Sequence, residues 1–207
     1  RAAVALAAAG GGWRVTGAEG ELITRADAVI LANAWQVAGL AGVTALPVRP
    51  VRGQTTLVPQ RERAPPVPVC REGCITPAID GWHALGATFG EDDPEPAPRA
   101  ADNAENLVRL ERMLPGYGAG LDPGRLAAWV GFRAVSTDRF PLAGPLRRAA
   151  GEPPLWACLA LGARGLTWSA LAAELVASQL CGDPLPLERD VRAALDPARF
   201  GDAGALA

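Results

Sequence analysis

"LALGARGLTWSALAAELVASQL", residues 159–180, decides how this chain is read. Leu159 closes an apolar run expected to be a buried strand, Gly162, Arg164 and Gly165 make a tight loop, and the rest is a helix apolar almost all the way round. An ordinary helix start needs only one capping residue. A helix begins with N–H groups that have no internal partner, and its positive end favours negative charge. A ring system gaining negative charge during a reaction would be stabilised there without reorganisation. The alternative is a plain strand–loop–helix connection.

Upstream, "WVGFRAVSTD" (129–138) has strand alternation, with Val130, Phe132 and Ala134 on one face and Trp129, Gly131, Arg133 and Val135 on the other. Arg133 thus shares a face with an aromatic ring and a glycine, a setting suited to a bidentate grip on a carboxylate. The competing assignment is a solvated arginine, or one paired with Asp138. In "PVRPVRGQTTLVP" (47–59), Arg52 and Gln54 point to one side of a long strand, and Gly53 allows close approach of a ligand or backbone. An edge strand with solvated polar groups is the other reading.

The opening "RAAVALAAAGGGWRV" has no cap or start signal before its alanine run and reads as the end of a helix already under way. "WRVTG", "GELIT" and "ADAVILANA" are expected as short strands, the last buried on both faces. "VPVCREGCITPA" and "GWHALGATFG" pair through a hairpin at Asp80-Gly81. "EDDPEPAP" (91–98) is expected to be a solvated loop, and Ala104, Leu107, Leu110 and Leu114 give helical spacing over 101–114. Strands with few helices in the middle, flanked by buried-sheet pieces, predict an α+β chain: an antiparallel domain inserted into an α/β domain.

The 207 residues allow one large domain or two small ones. All 20 cationic residues are arginine, against 22 acidic ones, so no polybasic tract marks a generic nucleic-acid or membrane surface. No apolar stretch is long enough to span a bilayer. Cys70, Cys74, Cys158 and Cys181 are expected as reduced thiols of a cytoplasmic protein. Cys70 and Cys74 lack a second ligand pair for zinc, and the acidic run lacks the pattern of a calcium loop, so no metal is expected. His83, the single histidine, reads as a structural strand residue without a serine nucleophile.

Taken together, "VILANAW", "GFRAVSTDRFPLAGP" and residues 159–180 resemble the FAD-dependent oxidoreductases of the D-amino-acid and glycine oxidase type. More narrowly, "LPVRPVRGQ", "CREGCITPA", "NLVRLERMLP" and "GDPLPLERDVRAALDPARF" resemble the C-terminal oxidoreductase half of the bifunctional tRNA 5-methylaminomethyl-2-thiouridine biosynthesis family. The resemblance covers nearly the whole chain. It implies FAD-dependent oxidation of a 5-carboxymethylaminomethyl group on the wobble uridine of tRNA, leaving aminomethyl uridine and glyoxylate. It also implies tRNA as partner and, in the complete family protein, a separate N-terminal methyltransferase domain using S-adenosylmethionine.

By the same resemblance Arg133 matches the arginine that grips the substrate carboxylate, with Arg52 and Gln54 as further substrate-side candidates. Gly162, Arg164, Gly165, Leu166 and Thr167 match the loop at the flavin ring. Ala32, Asn33 and Ala34 match the strand end near the dinucleotide. No strong base is required, since orientation of the C–H bond and support of the reduced cofactor carry most of the work. The implied domains are 1–45, a partial FAD-binding domain; 46–150, an antiparallel substrate domain; and 151–207, the final strand and helix with a tail. The family's glycine-rich dinucleotide fingerprint and the methyltransferase domain have no counterpart in the 207 residues, so a fragment is expected. Two other functions stay open: a small-molecule amine oxidase of the glycine or sarcosine type, and a non-catalytic folded fragment unable to hold FAD.

Overall fold

The alanine run opens a sheet instead of closing a helix. In the computed structural model, which describes residues 3–40 and 46–204, β1 (Ala5–Ala9) pairs antiparallel with β2 (Gly12–Thr16), and β2 with β3 (Leu22–Ala26). Alanine's helix propensity is worth only tenths of a kcal/mol per residue, and five residues are too few for a stable helix. Pairing Leu6 with Val15 and Ala8 with Trp13 instead gives β1 a ladder of backbone hydrogen bonds to β2 over a buried Trp13 and Val15. The domain boundary expected after residue 45 lies outside the described residues.

Onward along the chain come β4 (Val29–Leu31), β5 (Val48–Pro59), β6 (Val69–Cys70), β7 (Cys74–Ile75), β8 (Trp82–Gly86) and β9 (Gly90–Glu91). Helix α1 (Ala100–Met113) precedes β10 (Ala128–Ser136), β11 (Leu142–Pro145) and β12 (Leu155–Leu159). The chain then forms α2 (Gly165–Cys181) and α3 (Arg189–Leu195). These elements divide into two compact units, one from the described residues of Arg1–Arg49 and Arg133–Ala207, the other Pro50–Phe132.

In the first unit a sheet of order β11-β12-β4 joins an antiparallel pair, β11 with β12, to a parallel one, β12 with β4. The continuous apolar run 28–32, expected as a strand buried on both faces, forms the parallel strand Val29–Leu31 but is buried on one face: Leu31 is in the core, whereas Ile30 is 45% exposed. Trp13, Leu31, Val37, Leu142, Leu155 and Leu159 form its main core. The Trp13 indole N–H donates to the Pro154 carbonyl at 2.7 Å, and the Arg148 guanidinium stacks 4.6 Å from the ring centroid. On β11 and β12, α2 sets Ala172, Leu175 and Val176 against Ala143 and Leu195. This i, i+3, i+4 spacing makes one buried stripe out of a helix that looks uniformly apolar in sequence.

The second unit is an antiparallel sheet of order β10-β5-β8-β7-β6, with β9 also on β5, and α1 packs beside it. The expected hairpin is present: Asp80 and Gly81 both have positive φ, the demand of a tight two-residue turn, and Ile79 bridges Trp82. Leu110 joins Val58, Ile75, Leu85 and Tyr117 in the core. Unexpectedly, α1 also buries Asn103 and Asn106.

Those asparagines answer polar groups on β5, which is an interior strand and not the solvated edge considered above. Arg52, 1% exposed, donates from Nη1 to Asp102 at 2.5 Å, from Nε to the Glu95 carbonyl and from Nη2 to the Ala97 carbonyl. Gln54 donates to the Arg99 carbonyl and Asn103 Oδ1, while Asn106 donates to the Gln54 carbonyl and Thr56 Oγ1. The segment expected as a purely solvated loop therefore supplies two of the carbonyls that hold Arg52, and Asp93 in it is bidentate to Arg99.

His83 is fully buried between the Thr76 carbonyl and the Tyr117 hydroxyl, each at 2.7 Å, the structural role its sequence context suggests. The cysteines depart from expectation. Cys70 and Cys74 stand opposite each other in the β6–β7 pair, 4.1 Å apart at Cα, and are joined by a disulfide, while Cys158 and Cys181 are free. No helix among the described residues is long and apolar enough to cross a membrane.

Candidate functional site

Two of the segments singled out in the sequence leave neighbouring parallel strands in the same direction. The register pairs Leu155 with Val29, Trp156 with Ile30 and Ala157 with Leu31. Ala32-Asn33-Ala34 therefore continues from β4, and Ala160-Leu161-Gly162 from β12, at one carboxyl edge of the sheet. Open α/β sheets bind ligands in the crevice outside such an edge.

The backbone there is bent in ways that cost energy. Ala34 and Ala160, the turning points after the two strands, have φ of +53° and +58°. For a residue with a Cβ the left-handed region costs about 1–2 kcal/mol, and such residues cluster at functional sites. Gly162, with φ +60°, avoids that cost, and a Cβ there would meet no heavy atom within 4 Å. Gly165 differs: its φ of −53° and ψ of −44° are ordinary helix values.

From Gly162 to Arg164 the chain makes one 3-10 turn and enters α2 at Gly165. Arg164, the N-cap, makes no side-chain capping hydrogen bond, and the first turn of α2 holds no acidic residue. The positive end of α2 thus has neither a side-chain cap nor an acidic residue in its first turn. Leu166 in that first turn is 98% exposed, an apolar side chain standing in the open beside exposed Thr167. At the neighbouring strand end, just past β4, Asn33 Oδ1 is buried without a hydrogen-bond partner. Buried polar atoms are nearly always paired, so this acceptor is suited to a donor from a ligand.

Arg133 reaches the same region through the backbone. Val135 forms an isolated antiparallel bridge with Leu161, and Arg133 lies two residues earlier on the same face of β10. The alternation read from the sequence holds, with Ala134 and Ser136 buried and Trp129 66% exposed. Arg133 is half-buried, and desolvation lowers its pKa from the ordinary arginine value. Asp138, the partner considered for it, carries a bidentate ion pair with Arg199, at 2.7 and 3.1 Å. That contact, with hydrogen bonds from Ser136 and the Phe140 N–H, holds the Asp138 carboxyl down to about 2.

Ala32, Asn33, Ala34, Gly162, Arg164, Gly165, Leu166, Thr167 and Arg133, with the end of its strand, thus all lie in the first unit. Arg52 and Gln54 lie in the other unit, with their side chains engaged between β5 and α1. Ala160 and Leu161 were not singled out in sequence. Their signal is their place between the last apolar strand residue and Gly162, where the strand must turn. An open cleft of about 820 Å³ in the second unit, lined by Gln60–Arg63 and Leu114–Tyr117, holds none of the candidate residues. Among the described residues no group of three or more His, Cys, Asp or Glu side chains is placed to hold a metal ion.

Residues 1–179 match the family model described as FAD dependent oxidoreductase (DAO). The chain is 46% identical, over 97% of its length, to the tRNA 5-methylaminomethyl-2-thiouridine biosynthesis bifunctional protein MnmC of Aromatoleum aromaticum. It is 44% identical, over 92%, to the protein of that name from Burkholderia mallei. It spans about a third of the length of these relatives, 33% and 32%. Among solved structures it is similar in fold to glycine oxidase from Geobacillus kaustophilus, with TM-score 0.71, 21% identity, and coverage of 96% of this chain and 52% of that one. L-proline dehydrogenase from P. horikoshii gives TM-score 0.73 at 17% identity, covering 100% of this chain and 55% of the other. The parallel strand pair with its carboxyl-edge loops, the family match over most of the chain and the shared fold agree: the chain belongs to the family of FAD dependent oxidoreductases.

Proposed function

We propose that this protein takes part in FAD-dependent oxidation of the 5-carboxymethylaminomethyl group on the wobble uridine of tRNA. The observation that carries this reading is the 46% identity over 97% of the chain to the bifunctional tRNA-modifying relative. FAD, when bound, would supply the two-electron acceptor for oxidation of the glycyl C–N bond of the substituent, and water would then release aminomethyl uridine and glyoxylate.

The carboxyl edge of β4 and β12 fits such a group in its donor set. Backbone N–H groups at the start of α2, around Gly165, Leu166 and Thr167, would favour negative charge on a group held there. Gly162 and Gly165 leave room for close approach, and Arg164 adds positive charge to the loop. Asn33 Oδ1, buried and unpartnered, would accept a hydrogen bond from the cofactor, with Ala32 and Ala34 shaping the strand end. Exposed Leu166 would be covered by the same ligand.

Arg133 grips the glycyl carboxylate with its planar fork and so orients the C–H bond to be broken. No side chain need act as a strong base in this reading. Arg52 and Gln54, expected at the substrate side, serve in this reading to brace β5 against α1. The residues fall into an FAD-binding part, 1–45 and 151–207, and a substrate part, 46–150, in a cytoplasmic enzyme whose partners are tRNA and a methyltransferase domain.

Incubating the protein with FAD and tRNA bearing the carboxymethylaminomethyl group tests this directly. Glyoxylate should appear in step with loss of the carboxymethyl group. Brisk oxidation of free glycine or sarcosine, with none of the tRNA, would replace this reading by that of a small-molecule amine oxidase.

A further inference from the structure

Arg14 of β2 and Arg25 of β3 are directly opposite in the antiparallel register, and both are exposed. Residues so paired project from the same face with Cβ atoms about 4.5–5.5 Å apart, and like charges there repel. On the other side of Arg14 the register sets Ala7. The rest of that face on β1 and β2 is Ala5, Ala9, Gly12 and Thr16, so no side chain there stands taller than threonine.

Among the described residues neither guanidinium has a carboxylate partner. Glu21, in the connecting segment, turns its carboxylate back onto the Glu19 N–H at 3.1 Å, and Asp27, just beyond β3, is exposed and ion-paired with neither arginine. Two cations are thus held side by side on a low, open platform, with the cost of their repulsion uncompensated.

We propose that Arg14 and Arg25 clamp the phosphodiester backbone of the RNA substrate, an inference that rests on the tRNA reading above. Guanidinium forks match phosphate oxygens in a bidentate way, and a phosphate between them turns their repulsion into attraction. The low neighbours on β1 and β2 let a nucleic-acid backbone approach. With a net charge of −2 the molecule has no general attraction for RNA, so a local pair of this kind positions the substrate without reading its sequence.

The test measures tRNA affinity of the FAD-loaded protein between 50 and 200 mM salt, for wild type, R14A/R25A and R14K/R25K. Each phosphate contact adds about 0.7–0.9 to the slope of log affinity against log salt, so the alanine pair should flatten it by about 1.5 and weaken low-salt binding roughly tenfold. The lysine pair should keep most of the slope. Flavin content and oxidation of the free carboxymethylaminomethyl uridine nucleoside should stay unchanged, and Tm should stay level or rise as the repulsion is removed. An unchanged slope and affinity in R14A/R25A overturns the clamp, as does a lowered Tm with lost flavin, which would make the pair structural. If wild type binds no tRNA, the tRNA reading falls and the clamp with it; if wild type turns tRNA over and the variant does so equally well, only the clamp falls.

Discussion

Val135 bridges Leu161, and this single antiparallel contact ties the strand carrying Arg133 to the loop that starts α2. The arginine offered to the substrate carboxylate and the helix end offered to the flavin are therefore a few residues apart along bridged backbone. An oxidation that moves hydrogen from substrate to cofactor requires that proximity.

Replacing Arg133 by alanine should weaken binding of the carboxylated substrate about 10–100-fold, the value of a charge-assisted bidentate contact of roughly 1.5–3 kcal/mol. Lysine should recover part of this. Steady-state kinetics with thermal melts checks it: a raised KM with little change in Tm is expected, and unchanged kinetics would remove Arg133 from the site.

The two loop glycines should fail differently. Gly162→Ala places a Cβ in open space but in a left-handed conformation, so it should cost about 1–2 kcal/mol through the backbone alone. Gly165→Val keeps an allowed backbone and has only Leu161 Cβ near its own Cβ, at 3.8 Å, so its effect should be loss of flavin with modest change in stability. Urea unfolding and the flavin-to-protein absorbance ratio separate the two.

Asp102→Ala removes the nearer carboxylate of buried Arg52, 2.5 Å away in the native protein, and leaves it the Glu95 and Ala97 carbonyls and the Asp93 carboxylate at 4.0 Å. Breaking a buried pair from one side costs about 3–5 kcal/mol, and the retained carbonyl bonds place this case at the lower end. Denaturant titration should show the midpoint shift with little change in m-value.

The Asp138–Arg199 pair gives a pH signature. The folded carboxyl titrates at about 2, below its ordinary 3.8, so its stabilisation is fully present above about pH 4 and is lost as pH falls toward 2. Asp138→Asn should therefore lower Tm at neutral pH, and the gap to wild type should close on acidification to about pH 2. A gap independent of pH would assign the loss to packing.

What could be read from the sequence was local. The run ending at Leu159, the glycines after it and the apolar helix beyond marked the site, because a buried strand, a turn and a helix each leave their own periodicity. Ala5–Ala9 was misread because its strand state is imposed by β2, whose Trp13 and Val15 need a cover, against alanine's own preference. Arg52 and Asn103 look like solvated residues in isolation. Their burial depends on groups 43 to 50 residues away, including the Glu95 carbonyl and Asp102, which no pattern within either segment reveals. Likewise, the bridge from Val135 to Leu161 joins residues 26 positions apart, so the sequence named Arg133 and the helix-start loop without showing that the segments carrying them are bridged.

The most direct measurement is a flavin titration of the purified protein, following visible absorbance and recovering bound from free FAD by gel filtration. FAD should co-elute with wild-type protein, with a spectrum shifted from that of the free cofactor, and Gly165→Val should lose it. FAD that elutes entirely free from correctly folded wild-type protein would contradict flavin binding at the start of α2 and leave a folded chain without the cofactor.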